Sequence, residues 1–386
     1  MQCELLPVLN GDVNRKLNIS KVKIVHLIGS LTKGGAERFV IDLCNELSKN
    51  EQYDVWIISL NANDSANTFL KEINPRVSYY SLNKGRGFSL NVLLKLSKWL
   101  KHEQPDILHT HLNAFEYAML YIVQNPGTRF FHTIHNMASF ECSNILVKSI
   151  RKWFYRKNMV MPVTISADGS EDFKKTYNLR NDILIRNGRP DLTLSPEQVR
   201  LMKKYKSDKN IFLLVHVGRI SAEKNQRVLI EAVQQFNSSQ KNQCRLLIIG
   251  DVNDEILYKE LQAIVGTDSQ IEFLGGIFNI ADYLSIADVF CLSSSFEGMP
   301  ISLIEALSMG CISVCTPVGG INEMIYHGKT GFLSKDFSVD AFCNAIKEAV
   351  YSKNKHLIKE NSIYAFKSKY HIEASAKKHV NAYTAK

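Results

Sequence analysis

The stretch FLLVHVGRISAEKNQRVLIEAVQQF, residues 212–236, decides the architecture. Its first six residues form a short, almost wholly apolar run, as expected of a strand buried on both faces. Gly218-Arg219 breaks the run. From Asn225 to Phe236 the apolar side chains recur at helical spacing, with polar ones between them. A strand feeding directly into a helix is one half of a parallel β–α unit, because parallel strands need a long crossover to return.

The same alternation extends in both directions. Before the quoted stretch, strands are expected over 23–28, 55–60, 77–82, 106–110, 129–134, 160–165 and 183–186, with helices over 36–49, 90–102, 114–123 and 145–157. After it, strands are expected over 245–249, 271–274, 289–292 and 312–314, with helices over 255–265, 301–309 and 339–351. Residues 187–196, with Gly188, Pro190 and Pro196, interrupt the rhythm and read as a linker. The predicted fold is α/β: two Rossmann-like, doubly wound parallel-sheet domains facing across a cleft. Their expected extents are an extension at 1–20, a first domain at 21–188, a second at 189–354, and C-terminal helices at 355–386 that return to the first domain. Ligands bind at the carboxyl ends of such sheets.

At 386 residues the chain is longer than one core normally serves, which agrees with two domains. Hydrophobic residues at 45% and charged residues at 22% exclude a disordered chain. No apolar run approaches the roughly 20 residues of a membrane-crossing helix, and residues 1–20 lack the pattern of a signal peptide, so the expected location is the cytoplasm. The eight cysteines include no Cys-x-x-Cys pair and read as reduced core thiols. Residues 1–190 carry 25 Lys and Arg against 17 Asp and Glu, whereas residues 191–386 carry 22 against 21. That asymmetry points the first domain toward an anionic surface or acceptor.

Three segments carry chemistry. Residues 29–35 form a glycine loop that opens a helix, where backbone N–H groups and the helix dipole favour an anion. An NTPase P-loop would need Lys and Ser or Thr after its last glycine, and Gly35-Ala36 stand there instead. In HVGRISAEKNQ, Arg219 and Lys224 place two cations on one strand-to-helix loop, a suitable clamp for a diphosphate. In SFEGMPISLIEAL, Glu297 precedes a helix started by Pro300, and Glu305 follows one turn inside it. Two carboxylates beside the free amides of Gly298 and Met299 offer both acceptors and donors to a polyhydroxylated ligand.

The ordered succession GGAE, DILHTH, TIHN, NG, HVGR with KNQ, IIGD, ADVF, EGMP, EAL, a Gly-Gly pair and EMI resembles glycosyltransferase family 4. These are retaining nucleotide-sugar enzymes with the two-lobed GT-B fold, and the resemblance spans roughly residues 22–332. It implies transfer of a hexose or N-acetylhexosamine from a nucleotide diphosphate sugar to a glycan or lipid-linked acceptor, in surface polysaccharide or glycolipid synthesis. By the same resemblance, Arg219 and Lys224 neutralise the departing diphosphate, Glu305 holds the ribose hydroxyls and Glu297 a hydroxyl of the sugar. Gly298, Met299 and Pro300 complete the donor site, and Gly34 and Gly35 approach the diphosphate from the first lobe. His135, in TIHN, matches the family position near the sugar, with His111 second. His109 and His132 read as structural.

No Asp-x-Asp occurs, in keeping with cations of the protein standing in for a metal, so no cofactor or metal is expected. A glycosidase also uses two carboxylates, but it does not need the cation pair. The alternatives are a nucleotide-sugar epimerase of the same fold, which needs no acceptor, and a non-catalytic sugar-nucleotide binding protein, which would not need all four charged residues. The basic, aromatic segment 145–157 is suited to peripheral contact with anionic lipid, and equally reads as a domain helix with its apolar side inward and its Lys and Arg solvated. Nucleic acid is not an expected partner, since no reading module accompanies the basic residues.

Overall fold

The computed structural model describes residues 21–62, 68–142, 144–208 and 210–385. The extension at 1–20, with Cys3, lies outside them. In the first lobe, β1 (Val22–Ile28), β2 (Tyr53–Asn61), β3 (Ser78–Lys84), β4 (Ile107–His111), β5 (Arg129–Ile134), β6 (Met161–Thr164) and β7 (Ile183–Leu184) form a seven-stranded sheet in the order β3-β2-β1-β4-β5-β6-β7. In the second, β8 (Ile211–Val217), β9 (Gln243–Ile249), β10 (Ile271–Gly275), β11 (Val289–Leu292), β12 (Ile312–Cys315) and β13 (Gly331–Leu333) follow the order β10-β9-β8-β11-β12-β13. All pairings are parallel. Every residue of β4, β11 and β12 is buried, as strands covered on both faces require.

Each sheet reverses its winding direction once, between β1 and β4 and between β8 and β11. Loops leaving the carboxyl ends of those strands diverge and leave a crevice. The glycine loop follows β1, HVGRISAEKNQ leaves β8, and SFEGMP leaves β11. All three chemical segments therefore sit at the two crevices.

One buried apolar cluster covers the outer face of each sheet, and a third joins the inner faces. In this shared core the helix Gly35–Leu47 of the first lobe packs on the helix Ile301–Ser308 of the second. Fully burying a Leu or Ile is worth about 1.5–3 kcal/mol, so a few such contacts suffice to hold the lobes together there. The C-terminal helices divide their packing. Lys355–Ala365 lies on Ile301–Ser308 of the second lobe, and only Ile372–Thr384 reaches Gly35–Leu47 of the first. At the crossing, Arg189 N–H donates to the Tyr370 carbonyl at 3.0 Å and Ile372 N–H to the Arg189 carbonyl at 2.9 Å. The chain thus passes between lobes twice, side by side.

Sequence periodicity misses the helices Ala167–Tyr177 and Glu197–Tyr205 and the strand β13. The helices are mostly polar and hold few buried side chains, and β13 has three residues including Gly331. The seven described cysteines are free and buried.

One orientation is corrected. In the helix Ile145–Arg156, Ile145 is 78% exposed, Leu146 74% and Trp153 47%, while Arg151 is 1% exposed. Arg151 pairs with Glu116 at 2.6 Å and Glu141 at 3.1 Å, and its guanidinium packs over Phe115. Two carboxylates make burial of a guanidinium tolerable, so Arg151 turns inward beside the buried Phe154 and Tyr155, while Ile145, Leu146, Ile150 and Trp153 face outward. Among the described residues no helix is long and apolar enough to cross a membrane.

Candidate active site

The second-lobe half is built by tight turns. After β8 the chain makes a 3-10 turn, Ala222–Lys224, and Asn225 takes a left-handed conformation (φ 49°) before the helix Gln226–Ser239. Asn tolerates that conformation better than most residues. The turn aims Lys224 across the crevice, where its Nζ donates to Glu297 Oε1 at 2.6 Å, and Ser294 Oγ donates to the same oxygen at 2.6 Å. The Glu297 loop is held from behind by Gly319, whose φ of 47° brings its backbone so near that a Cβ would lie 1.8 Å from the Glu297 carbonyl oxygen. Pro300 precedes the helix Ile301–Ser308, whose Glu305 is buried. Burial pushes the Glu305 carboxyl above the ordinary carboxylate range, and the Arg189 guanidinium, 2.8 Å away, opposes the rise.

Arg189 is the residue the sequence reading passes over. It lies in the linker, is 7% exposed, and pairs with Asp42 of the first lobe as well as with Glu305 of the second. Asp42 is also held by Arg38 at 2.6 Å. The linker therefore fixes the Glu305 carboxylate through a buried ionic chain. The only sequence signal is the NGRP run itself, whose Arg looks solvated until the C-terminal segment covers it.

In the first-lobe half, Gly34 and Gly35 open the helix Gly35–Leu47. Glu37 sits in its first turn; burial raises its carboxyl, and the Arg219 guanidinium opposes the rise. Leu112, just after β4, adopts φ 53°, an uncommon state for a branched side chain of the kind found at functional sites. His135 follows β5, its backbone N–H donating to Glu141 Oε2 at 2.8 Å, and Glu141 is in turn the partner of Arg151. Burial drops the His135 imidazole to about 4, so it is neutral at physiological pH. The lobes meet closely here: a Cβ on Gly298 would stand 2.6 Å from the His135 carbonyl oxygen.

Arg219, Lys224, Glu297, Glu305, Gly34, Gly35, Gly298, Met299, Pro300 and His135 all line one cavity of about 400 Å³ between the lobes. Residues far apart in the chain converge as the sequence reading requires. His111 is the correction: it does not line the cavity but lies fully buried behind His135, with its Nδ1 2.9 Å from His135 Nε2. Alternation along β4 turns its ring into the inter-lobe face, one layer below the surface. His109 and His132 are buried, and each has partners at both ring nitrogens. Lys33, Arg38 and Arg189 also line the cavity outside any motif, as do Glu37 of GGAE and Asn187 of NG, to which the sequence reading gives no role.

Comparison with known proteins agrees with this construction. Residues 33–188 match the family described as Glycosyltransferase Family 4, and residues 197–369 match Glycosyl transferases group 1. The chain is 24% identical, over 91% of its length and 92% of the relative's, to the Escherichia coli UDP-Gal:alpha-D-GlcNAc-diphosphoundecaprenol alpha-1,3-galactosyltransferase. It is 22% identical, over 87% of its length and 92% of the relative's, to the Staphylococcus aureus capsular polysaccharide biosynthesis glycosyltransferase CapH. The fold is similar to that of Anabaena HepE, solved in complex with UDP and glucose, with a TM-score of 0.80 at 18% identity over 95% of this chain and 100% of that one.

Proposed function

We propose that this chain, which belongs to glycosyltransferase family 4, moves a hexose or N-acetylhexosamine from a uridine diphosphate sugar to a lipid-linked glycan, with retention of configuration and without a metal. The observation that carries the reading is the convergence of a cation pair and a carboxylate pair on one inter-lobe cavity. As the bond between the sugar and the diphosphate breaks, negative charge grows on the leaving oxygen, and Arg219 and Lys224 are placed to stabilise it. Preorganised charge of this kind is often the largest single term in lowering a barrier. Glu305 serves the ribose hydroxyls, Glu297 a sugar hydroxyl, and the amides of Gly298 and Met299 the diphosphate. Retention rests on family membership.

The uridine base and the lipid-linked acceptor are supported by the relatives: the names of the E. coli protein and of a Campylobacter jejuni N-acetylgalactosaminyltransferase both specify undecaprenol-linked substrates. The outward apolar residues Ile145, Leu146, Ile150 and Trp153, flanked by Lys148, Lys152, Arg156 and Lys157, support docking on an anionic bilayer beside the first lobe. One experiment tests the whole: UDP-sugars are supplied with a diphospholipid-linked acceptor in anionic liposomes at low salt. Expected are acceptor-dependent release of UDP and co-sedimentation of the protein that Trp153→Asp weakens. UDP-sugar turnover without acceptor, or no product from any UDP-sugar, overturns the transferase reading, and failure to sediment removes the membrane surface.

A further inference from the structure

Five cationic side chains line the cavity: Lys33 and Arg38 from the first lobe, Arg189 from the linker, Arg219 and Lys224 from the second lobe. Three of them are committed to carboxylates. Arg38 is held by Asp42 and Glu72, Arg189 by Asp42 and Glu305, and Lys224 by Glu297. Lys33 and Arg219 form no ion pair among the described residues. Arg219 still acts on Glu37 at longer range, so of the five Lys33 is the least engaged with an anion.

The contacts Lys33 does make suit a full charge poorly. Its Nζ stands 3.8 Å from the centroid of the Phe278 ring and 3.5 Å from the Gly276 carbonyl oxygen, both in the second lobe. A ring face and one long contact to a neutral oxygen hold an ammonium less firmly than a phosphate would. The backbone beneath it is fixed, since Thr32 bridges to Thr68 and Phe69 N–H donates to the Leu31 carbonyl at 3.0 Å. What moves is the side chain, a four-carbon stem ending in rotatable donors. It springs from the residue before Gly34, the N-cap of the helix Gly35–Leu47, which has no side chain to offer the first turn. An anion is favoured at that end of a helix.

Transfer increases the demand for positive charge at the diphosphate. The electron pair of the sugar–diphosphate bond stays on the leaving oxygen, while the acceptor oxygen bonds to the sugar and gives its proton to solvent. UDP therefore departs with more negative charge than it carried in the ester. We propose that Lys33 is a further catalytic residue, which leaves Phe278 and donates to the diphosphate across the cleft, so that the first lobe supplies the third cation of the clamp begun by Arg219 and Lys224. The diphosphate as ligand rests on the nucleotide-sugar reading above. Because Lys33 already reaches the second lobe, its charge is delivered only where the two walls face each other.

The test is calorimetric binding of uridine, UMP and UDP to the intact chain, as wild type, Lys33→Met and Lys33→Arg. Methionine keeps an apolar stem over Phe278 and removes the charge, and since Lys33 holds no ion pair the circular dichroism of the fold should be unchanged. The wild-type chain is expected to bind UDP more tightly than UMP. Lys33→Met is expected to weaken UDP about tenfold, with uridine and UMP changing by less than about twofold. Its kcat for transfer should fall roughly 10- to 100-fold, and Lys33→Arg should recover most of both losses. Equal weakening of all three ligands would mean that Lys33 covers the base, and equal weakening of UMP and UDP that it acts only as a general positive field; either overturns the proposal. So does a Lys33→Met chain that keeps the wild-type preference for UDP. A wild-type chain that binds UDP no more tightly than uridine sinks the nucleotide-sugar reading itself, whereas a wild-type preference that survives Lys33→Met sinks the proposal alone.

Discussion

The two walls of the cavity share a topology and differ in chemistry. Each is the carboxyl edge of a parallel sheet at the strand pair where winding reverses. The second-lobe wall is charged: Arg219, Lys224, Glu297 and Glu305 come from two loops and one helix end, and Lys224 and Glu297 are already paired. The first-lobe wall carries Lys33, Glu37 and Arg38 around its glycine loop; beyond them it is backed by neutral imidazoles drawn from β1, β4 and the loop after β5, and is closed from behind by His379 and Tyr383 of the C-terminal helix. Full charges suit the invariant diphosphate, whose own charge is large. Neutral, buried rings suit a sugar, where a hydrogen bond of fixed direction discriminates and a full charge would be costly to desolvate.

The largest expected effect lies on the charged wall. Lys224→Ala and Glu305→Ala should each lower transfer by roughly 100-fold or more while the protein stays folded by circular dichroism; near-normal turnover in both would remove the charged wall from the mechanism. Next comes the junction of the walls. Gly298→Ala puts a methyl group against the His135 carbonyl, and should cut kcat about tenfold with a smaller effect on the melting temperature. A variant as active as wild type would mean the walls are not held in register there.

The smallest effect sets the buried histidines against the buried carboxylates by pH. Burial lowers His26 to about 3 and His135, His216 and His379 to about 4, against about 6.5 for an ordinary imidazole. Depressed in the fold, these rings contribute stability that is fully present above about pH 6.5 and is lost as pH falls toward 4. Burial raises Glu37 and Glu305, so their sign is opposite, and their destabilisation lessens as pH falls. The histidines titrate first on acidification, so the melting temperature should fall between about pH 7.5 and about pH 5. A temperature that holds or rises across that interval would make the carboxylates dominant.

Much of this was legible in advance, unevenly. The charged wall is written in two short segments, HVGRISAEKNQ and SFEGMPISLIEAL, so its residues could be named from local pattern. The imidazole wall is dispersed, and His111 looked like a donor ligand because nothing local reveals how deep a strand residue sits. Arg151 read as solvated and Arg189 was passed over for a related reason: the partners that bury them, Glu116 and Glu141 or Asp42 and Glu305, are brought to them from elsewhere.

Sequence alone determined the alternation of strand and helix, the division into two sheets and the chemistry of the second-lobe loops, because apolar periodicity and turn residues act over a few neighbouring positions. Only the tertiary structure decided which nitrogen of His135 is left without a partner, that Arg189 bridges the lobes, and that the helix Ile145–Arg156 buries Arg151 while Ile145, Leu146 and Trp153 face outward. Those outcomes depend on which distant partners satisfy a buried polar group, and that is settled when the strands pair and the C-terminal helix crosses back.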